Sequence, residues 1–343
     1  RLRCDTLQEQ HLVDTAIFTL FTTINGHEKE LNAFIRKPNA VKAIDVTDML
    51  QRLQRFDILA IIHSKSNPRE ALEIWRRMGT GEYKISGKVS VIEESVSCLS
   101  EIEDEELVWT FASWIMRKDH AQGIKIFCNR NSSDHLKIQP TRVLDFIKSF
   151  EGDSGDSAID WPAYARKDYL EFIIETNGSQ DPQLNTRLAI LYMDMVLAYR
   201  ETSKTSLRRH NAGTEPGELG VVRSRGLGFL RKSKYYNVEQ VLQAIVTTEL
   251  YEERIILLNR LGSHMEALRI YVYKTNSIPE AISYCQEYSP SVEEDPTRAR
   301  SLFLLLVKLL LNPAREDAAS FTRKERYRRI GMGLLVDYAS EME

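Results

Sequence analysis

The residues most able to bind something are cations: Lys204, Arg208, Arg209, Arg223, Arg225, Arg231, Lys232 and Lys234. The chemistry open to them is electrostatic, contact with anionic lipid or with an acidic protein face, where each charge near a membrane is worth ~1 kcal/mol. Of these, Arg223, Arg225, Arg231, Lys232 and Lys234 are the candidates for partner or lipid contact. A solvated loop followed by a charged helix face is the plainer account of the same residues.

Catalytic chemistry finds little support. The acidic pairs Glu93-Glu94, Glu105-Glu106 and Glu252-Glu253 are adjacent, so on a helix they diverge and are not expected to flank one substrate. No serine sits in a nucleophile elbow, and Cys4, Cys98, Cys128 and Cys285 form no Cys-x-x-Cys pair. The seven histidines make no His-Glu-x-x-His or Cys/His spacing suited to zinc. His264 is expected exposed on a first helical turn, and His63 at a helix end where a cation is favourable. Gly226-Leu-Gly228 lacks the third glycine and preceding strand of a phosphate loop. Trp109 and Trp114 could form an aromatic site, but at helical spacing they are expected in a core. No catalytic residue, cofactor or metal is therefore expected.

The elements that would position these groups announce themselves through a nine-residue pattern. It occurs at Asn67–Trp75, Asp119–Phe127, Ser263–Tyr271 and Ser277–Cys285. Each copy opens with a helix N-cap residue (Asn67, Asp119, Ser263, Ser277) followed three positions later by Glu70, Gln122, Glu266 or Glu280. That is the capping box. A small residue follows (Ala71, Gly123, Ala267, Ala281), then apolar positions ending in Trp75, Phe127, Tyr271 and Cys285. Apolar pairs upstream, Leu59 and Ile62, Phe111 and Trp114, Ile255 and Leu258, place one face of an earlier helix against each of the first three copies. For the fourth copy the partner is expected to be the third box helix itself. The period is inexact, so the fold class is all-α, an irregular α-solenoid of stacked helical hairpins.

Leu250–Gly262, the box after it and Ala281–Cys285 resemble the clathrin-heavy-chain-type repeat of the Vam/Vps tethering subunits. Gly217-Glu-Leu-Gly220, Phe229-Leu230, Ser233, Tyr235-Tyr236 and His11-Leu-Val-Asp-Thr-Ala16 follow the same family's pattern in order. Leu107–Trp114, Ile126-Phe127 and Arg130 look closer to its TGF-β receptor-associated branch than to the sister branch of the late-endosomal tether. The resemblance covers about residues 11–290. It implies a non-enzymatic scaffold of a CORVET- or HOPS-type complex, peripheral on endosomal or vacuolar membranes, docking on a class C core subunit and working with a Rab GTPase. The docking surface is expected within residues 235–343, where the helices are shortest and most regular, so that deletion of 290–343 is expected to abolish docking. The branch implies an alternative, a cytosolic adaptor binding TGF-β receptor or Smad proteins. The family's β-propeller and zinc module have no counterpart pattern in this sequence, and their functions are not carried over.

Composition agrees: 28% charged and 43% hydrophobic residues, with a net charge of −3 that draws no nucleic acid. The most apolar run, Leu302–Leu311, is about half of what a bilayer requires. With no secretory signal the protein is expected in the cytosol, and its start at Arg1 suggests a piece of a longer chain. Helices are expected at 11–24, 45–62, 68–78, 104–116, 119–127, 140–150, 161–176 and 181–200, in short units over 224–311, and at 315–341. Residues 79–87 and 151–160 read as loops. Residues 1–200 form the N-terminal solenoid, 201–222 a linker rich in Ser, Thr and Gly, and 223–343 the C-terminal solenoid.

Overall fold

Every regular element is helical in the computed structural model, which describes residues 2–24, 27–84, 89–130, 136–151, 160–203, 211–288, 296–312 and 321–337. The chain divides between Phe172 and Ile173 into two compact units. The first unit contains α1 (Leu2–Thr23), α2 (Glu28–Arg36), α3 (Ala43–Arg52), α4 (Phe56–Ser66), α5 (Pro68–Thr80) and α6 (Val91–Glu101). It continues through α7 (Glu105–Lys118), α8 (His120–Arg130), α9 (Pro140–Lys148) and α10 (Trp161–Glu171). The second contains α11 (Pro182–Ser203), α12 (Glu218–Lys232), α13 (Val238–Ile245), α14 (Tyr251–Arg260) and α15 (His264–Arg269). α16 (Ile278–Tyr288), α17 (Pro296–Leu311) and α18 (Phe321–Asp337) complete it. Wider π-type turns extend α10 over Phe172–Thr176 and α15 over Ile270–Lys274.

Within each unit the helices stack as an irregular α-solenoid of hairpins. In the first, α4 lies on α5, α5 on α6, and α8 on α6, α7 and α10. In the second, α11 lies on α12 and α13, α14 bridges α12 and α15, and α17 lies against α15, α16 and α18. The apolar positions of the repeats supply the cores: Trp75 joins Phe18, Leu31, Leu50 and Ile58 in one cluster, while Leu268, Tyr284 and Cys285 join Leu306, Leu310 and Tyr327 in another. The fourth repeat helix, α16, contacts the π-type extension of the third as well as α17.

The four repeats share a joint in which one residue closes one helix and opens the next. The backbone N–H of the cap residue donates backwards: Asn67 to His63 O at 2.7 Å, Asp119 to Ile115 O at 2.8 Å, Ser263 to Leu258 O and Ser277 to Tyr271 O, both at 2.9 Å. Its carbonyl accepts forwards, from the N–H of Ala71, Gly123, Ala267 and Ala281 at 3.0–3.2 Å. The reciprocal half of the capping box is thus pre-empted, because the N–H that the glutamate would reach is already engaged. The side-chain half survives at Asn67 (to Glu70 N, 3.4 Å) and Asp119 (to Gln122 N, 3.0 Å), and Ser263 makes no such bond. Ahead of Ser263 and Ser277, Gly262 and Asn276 take left-handed φ values of 70° and 54°, the usual way of ending a helix abruptly. The small residue is buried in every copy. At Gly123 the reason is direct: a Cβ there would run into the buried Met116 of α7.

Several elements depart from the sequence reading. The helix expected at 45–62 is two helices, because Gln54 turns left-handed (φ 52°) and Arg55 N closes onto Leu50 O at 2.9 Å. α2 and α6 were not foreseen, although Ser90 caps α6 from the same Ser-x-x-Glu signal, accepting from Glu93 N at 3.4 Å. On α1 the row Leu12, Ala16, Leu20 lies on the exposed face, as does Ile24 just beyond it, while Phe18 faces the core. The expected linker 201–222 begins in α11, ends in α12 and lies wholly within the second unit, so the chain divides upstream of it. Lys204, Arg208 and Arg209, and the glycine-serine run at 152–157, lie outside the described residues.

Candidate interaction surface

The cation set separates into one buried residue and several exposed ones. Arg223 was expected on a contact surface, but its side chain is 0% exposed and works inside the second unit. Its Nε donates to Glu253 at 2.6 Å, its Nη2 to Glu253 at 3.0 Å and Glu252 at 2.6 Å, and its Nη1 to Glu215. Glu215 and Glu253 are equally buried, and Glu252 is 38% exposed. The adjacent pair Glu252-Glu253, expected to diverge, instead converges, because one planar guanidinium fork fits between both carboxylates at the first turn of α14. Burial by itself would lower the Arg223 pKa, but the bond to Glu253 and the surrounding carboxylates hold it above its ordinary value. Burial raises the Glu252 pKa, with Arg223 pulling the other way. This arrangement ties the segment before α12 to α14. Gly220 makes it possible, since a Cβ there would overlap the Glu215 carbonyl.

Arg225, Arg231, Lys232 and Lys234 are exposed. Arg231 and Lys232 occupy the last turn of α12, where cations suit the helix dipole. Arg260, at the end of α14, lies over the Tyr236 ring at 4.8 Å and donates to Arg231 O at 3.0 Å. The ends of α12 and α14 therefore meet at one edge. Tyr284 of α16 reaches the same edge, with its hydroxyl donating to Asn259 Oδ1 at 3.3 Å. His264, expected exposed, is partly buried, its Nδ1 2.8 Å from the Tyr284 hydroxyl.

The remaining candidates are structural. Trp109 packs between Phe127 and Phe146 (ring centroids 5.5 and 4.9 Å), with Arg142 over its face. Trp114 lies across Gly79, where a Cβ would collide with its ring. His63 is partly buried at the end of α4, with Nδ1 enclosed and unpartnered. Gly226 allows close approach of α11, a Cβ meeting Tyr192 at 3.1 Å, and is not part of a phosphate loop. Arg130 donates to the carbonyls of Leu99 (3.0 Å) and Ile102, closing the end of α6, and burial lowers its pKa. No grouping of His, Cys, Asp and Glu among the described residues could hold a metal, and no described helix is long and apolar enough to cross a membrane.

Burial holds the three cysteines described, Cys98, Cys128 and Cys285, as thiols. Burial pushes Cys98 up to about 11, helped by Glu101 and Glu94, and Cys128 and Cys285 up to about 12. The reactive thiolate is thereby scarce at neutral pH, and alkylation of all three in the folded chain is expected roughly a hundredfold slower than in a free peptide. Iodoacetamide labelling followed by peptide mass spectrometry checks this; rapid labelling of Cys98 would contradict it.

A second exposed feature is apolar. On α18, Met332, Leu335 and Val336 are 53%, 37% and 79% exposed, and Leu304 of the adjoining α17 is 39% exposed. Spaced three and four residues apart, the first three form one stripe on the helix.

Comparison with known proteins matches the two units separately. The family described as vacuolar sorting protein 39 domain 1 matches residues 13–116, and the Vps41 TPR-like region matches residues 222–291. The chain is 25% identical over 303 residues to transforming growth factor-beta receptor-associated protein 1 of Homo sapiens, covering 88% of this chain and 32% of that protein. It is 27% identical over 273 residues to the Vam6/Vps39-like protein of Mus musculus, covering 77% and 29%. It is 28% identical over 226 residues to the vacuolar protein sorting-associated protein 39 homolog of Caenorhabditis elegans, covering 62% and 22%. The chain thus spans about a third or less of the length of these relatives.

Proposed function

We propose, from the premise that this chain belongs to the Vam/Vps tethering-subunit family, that it is the solenoid segment of an endosomal or vacuolar tethering subunit of the CORVET or HOPS type. Its role is that of a non-enzymatic scaffold in vesicle tethering and fusion, docking on a class C core subunit and held at the membrane through the complex in concert with a Rab GTPase. The observation that carries the reading is the order of matches: a sorting-protein domain on the first unit and a Vps41-type helical region on the second. A solenoid suits the role, since it offers long side surfaces, and α18 exposes apolar positions that a neighbour can cover.

Within 235–343 we propose α18 and its neighbour α17 for the docking surface, a reading supported by the exposed apolar stripe there. Deleting 290–343 is a poor test, because Leu302, Leu306, Leu310 and Tyr327 belong to the core of the second unit. The better variant is Met332→Asp with Val336→Asp, both on the exposed face. Binding of the purified chain to the C-terminal solenoid of a class C subunit is expected by calorimetry, and the double variant is expected to weaken it at least roughly a hundredfold, as loss of a central apolar anchor does. An unchanged affinity would move the contact elsewhere. Absence of any binding by a folded chain would favour the adaptor reading, tested by co-precipitation with activated TGF-β receptor.

A further inference from the structure

At one edge of the second unit, cations and half-exposed aromatics stand together. The C-terminal ends of α12, α14 and α16 meet there through side chains: Arg260 to the Arg231 carbonyl at 3.0 Å, and Tyr284 to Asn259 at 3.3 Å. One turn beyond Tyr284, Tyr288 packs beside it with ring centroids 4.8 Å apart and planes tilted by 41°, bonds Asn259, and feels the charge of Arg231. The ends are therefore held rigid by neutral and charge-assisted bonds, while their outer atoms face solvent. Tyr235 is 44% exposed, Tyr288 40%, Leu261 just after α14 40%, and Met265 in the first turn of α15 47%. Arg231, Lys232 and Lys234 make no ion pair with any described residue, whereas the neighbouring acids are engaged, Glu266 with Arg269 at 3.3 Å and Glu287 with Tyr288.

Tyrosine, methionine and arginine at a rigid rim are the residue types that carry binding energy in protein interfaces. The positive charge left unpaired among the described residues selects the sign of the occupant. We propose that this edge is a docking site for an acidic linear peptide, in which an aromatic or aliphatic side chain packs on Tyr288 and flanking carboxylates meet Arg231, Lys232 and Lys234. Part of that positive charge also answers the α12 dipole, a purely structural role that peptide binding would not report. An anionic bilayer fits the edge less well, because three cations near a membrane surface hold a protein there only weakly. The site is independent of the α18 stripe and of the tethering reading.

The test uses the full chain and a fluorescein-labelled acidic decapeptide with a central Phe, followed by fluorescence anisotropy. Saturable binding in the micromolar range (~8 kcal/mol) is expected, weaker when salt rises from about 0.05 to 0.2 M. Triple charge reversal (Arg231→Glu, Lys232→Glu, Lys234→Glu) is expected to weaken it at least roughly tenfold, as are Tyr288→Ala and loss of the peptide Phe. The neutral triple Arg231→Gln, Lys232→Gln, Lys234→Gln, checked by circular dichroism, gives the same answer if the reversed variant fails to fold. Three results would overturn the site: no saturable binding at millimolar peptide, equal binding by the charge-altered variants, or binding of phosphatidylserine vesicles, sensitive to the same substitutions, with no binding of peptide.

Discussion

Arg223→Ala is expected to destabilise residues 173–343 by about 3–5 kcal/mol, the cost of leaving buried charge without its partner. Glu215 and Glu253, both with fully buried side chains, would face one another with no cation between them. For a unit of this size that is a fall in Tm of roughly 6–20 °C. Because Trp75, Trp109, Trp114 and Trp161 all precede Ile173, tryptophan fluorescence reports the first unit, and far-UV circular dichroism is the probe that registers the second. Replacing the cluster by apolar residues, Arg223→Met with Glu215→Leu and Glu253→Leu, is expected to recover most of the loss, since the desolvation of the charges disappears with them. A single Arg223→Ala variant within 1 kcal/mol of the parent would show that water or rearranged acids replace the arginine.

The pH dependence of the same cluster has a definite sign. Burial raises the Glu252 pKa, so the folded chain binds that proton more tightly than the unfolded chain does. This contribution is present below the ordinary glutamate value near 4.5 and is lost as pH rises through the raised one. Glu252→Gln is expected to flatten that fall while leaving Arg223 held by Glu215 and Glu253. Because Glu252 is partly exposed, solvent screening keeps the effect modest. Urea midpoints measured between about pH 4 and 7 read it out directly.

The second large effect belongs to the first unit. Trp75→Ala is expected to cost about 3–5 kcal/mol, the range for truncating a large buried aromatic. Trp75 is 1% exposed and packed with Leu50, Ile58 and Ile62. The residues around it come from several helices, so the cavity cannot close by moving one side chain. Loss of the tryptophan fluorescence transition at a lower urea concentration, followed with the three remaining tryptophans, measures the cost. A loss below about 1 kcal/mol would mean that the α4–α5 hairpin is not held by its repeat residues.

The joint at each repeat explains why so much of the fold was legible. Asn67, Asp119, Ser263 and Ser277 are cap residues by type, and the small residue four positions on must lie where two helices cross. Local chemistry of that kind depends on a few consecutive residues, so a sequence carries it openly. Ser90-Val-Ile-Glu93 carried the same cap signal for α6 and was hidden because Glu94 stands where the repeats have a small residue and no apolar pair stood before it. Gln54 was unreadable for the opposite reason: nothing about a glutamine requires a positive φ, and the break at 53–55 arises where Arg55 turns to reach Asp57 and Glu28.

The exposed cations at the end of α12 were legible as candidates for contact, but their neighbours were not, since Arg260, Tyr236 and Tyr288 join them only through packing. Taken alone, the sequence determined that the chain is all-α, where most hairpins start, and which apolar residues line them, because capping and helical periodicity are short-range. Tertiary structure alone decided that Arg223 is internal while Arg231 and Lys232 are not. Those cations lie on one helix and differ only in which face meets α14, and α14 brings the carboxylates of Glu252 and Glu253 from 29 and 30 residues away. A side chain's type fixes the charge it carries, and only the packed neighbour fixes whether that charge is satisfied within the fold or offered to a partner.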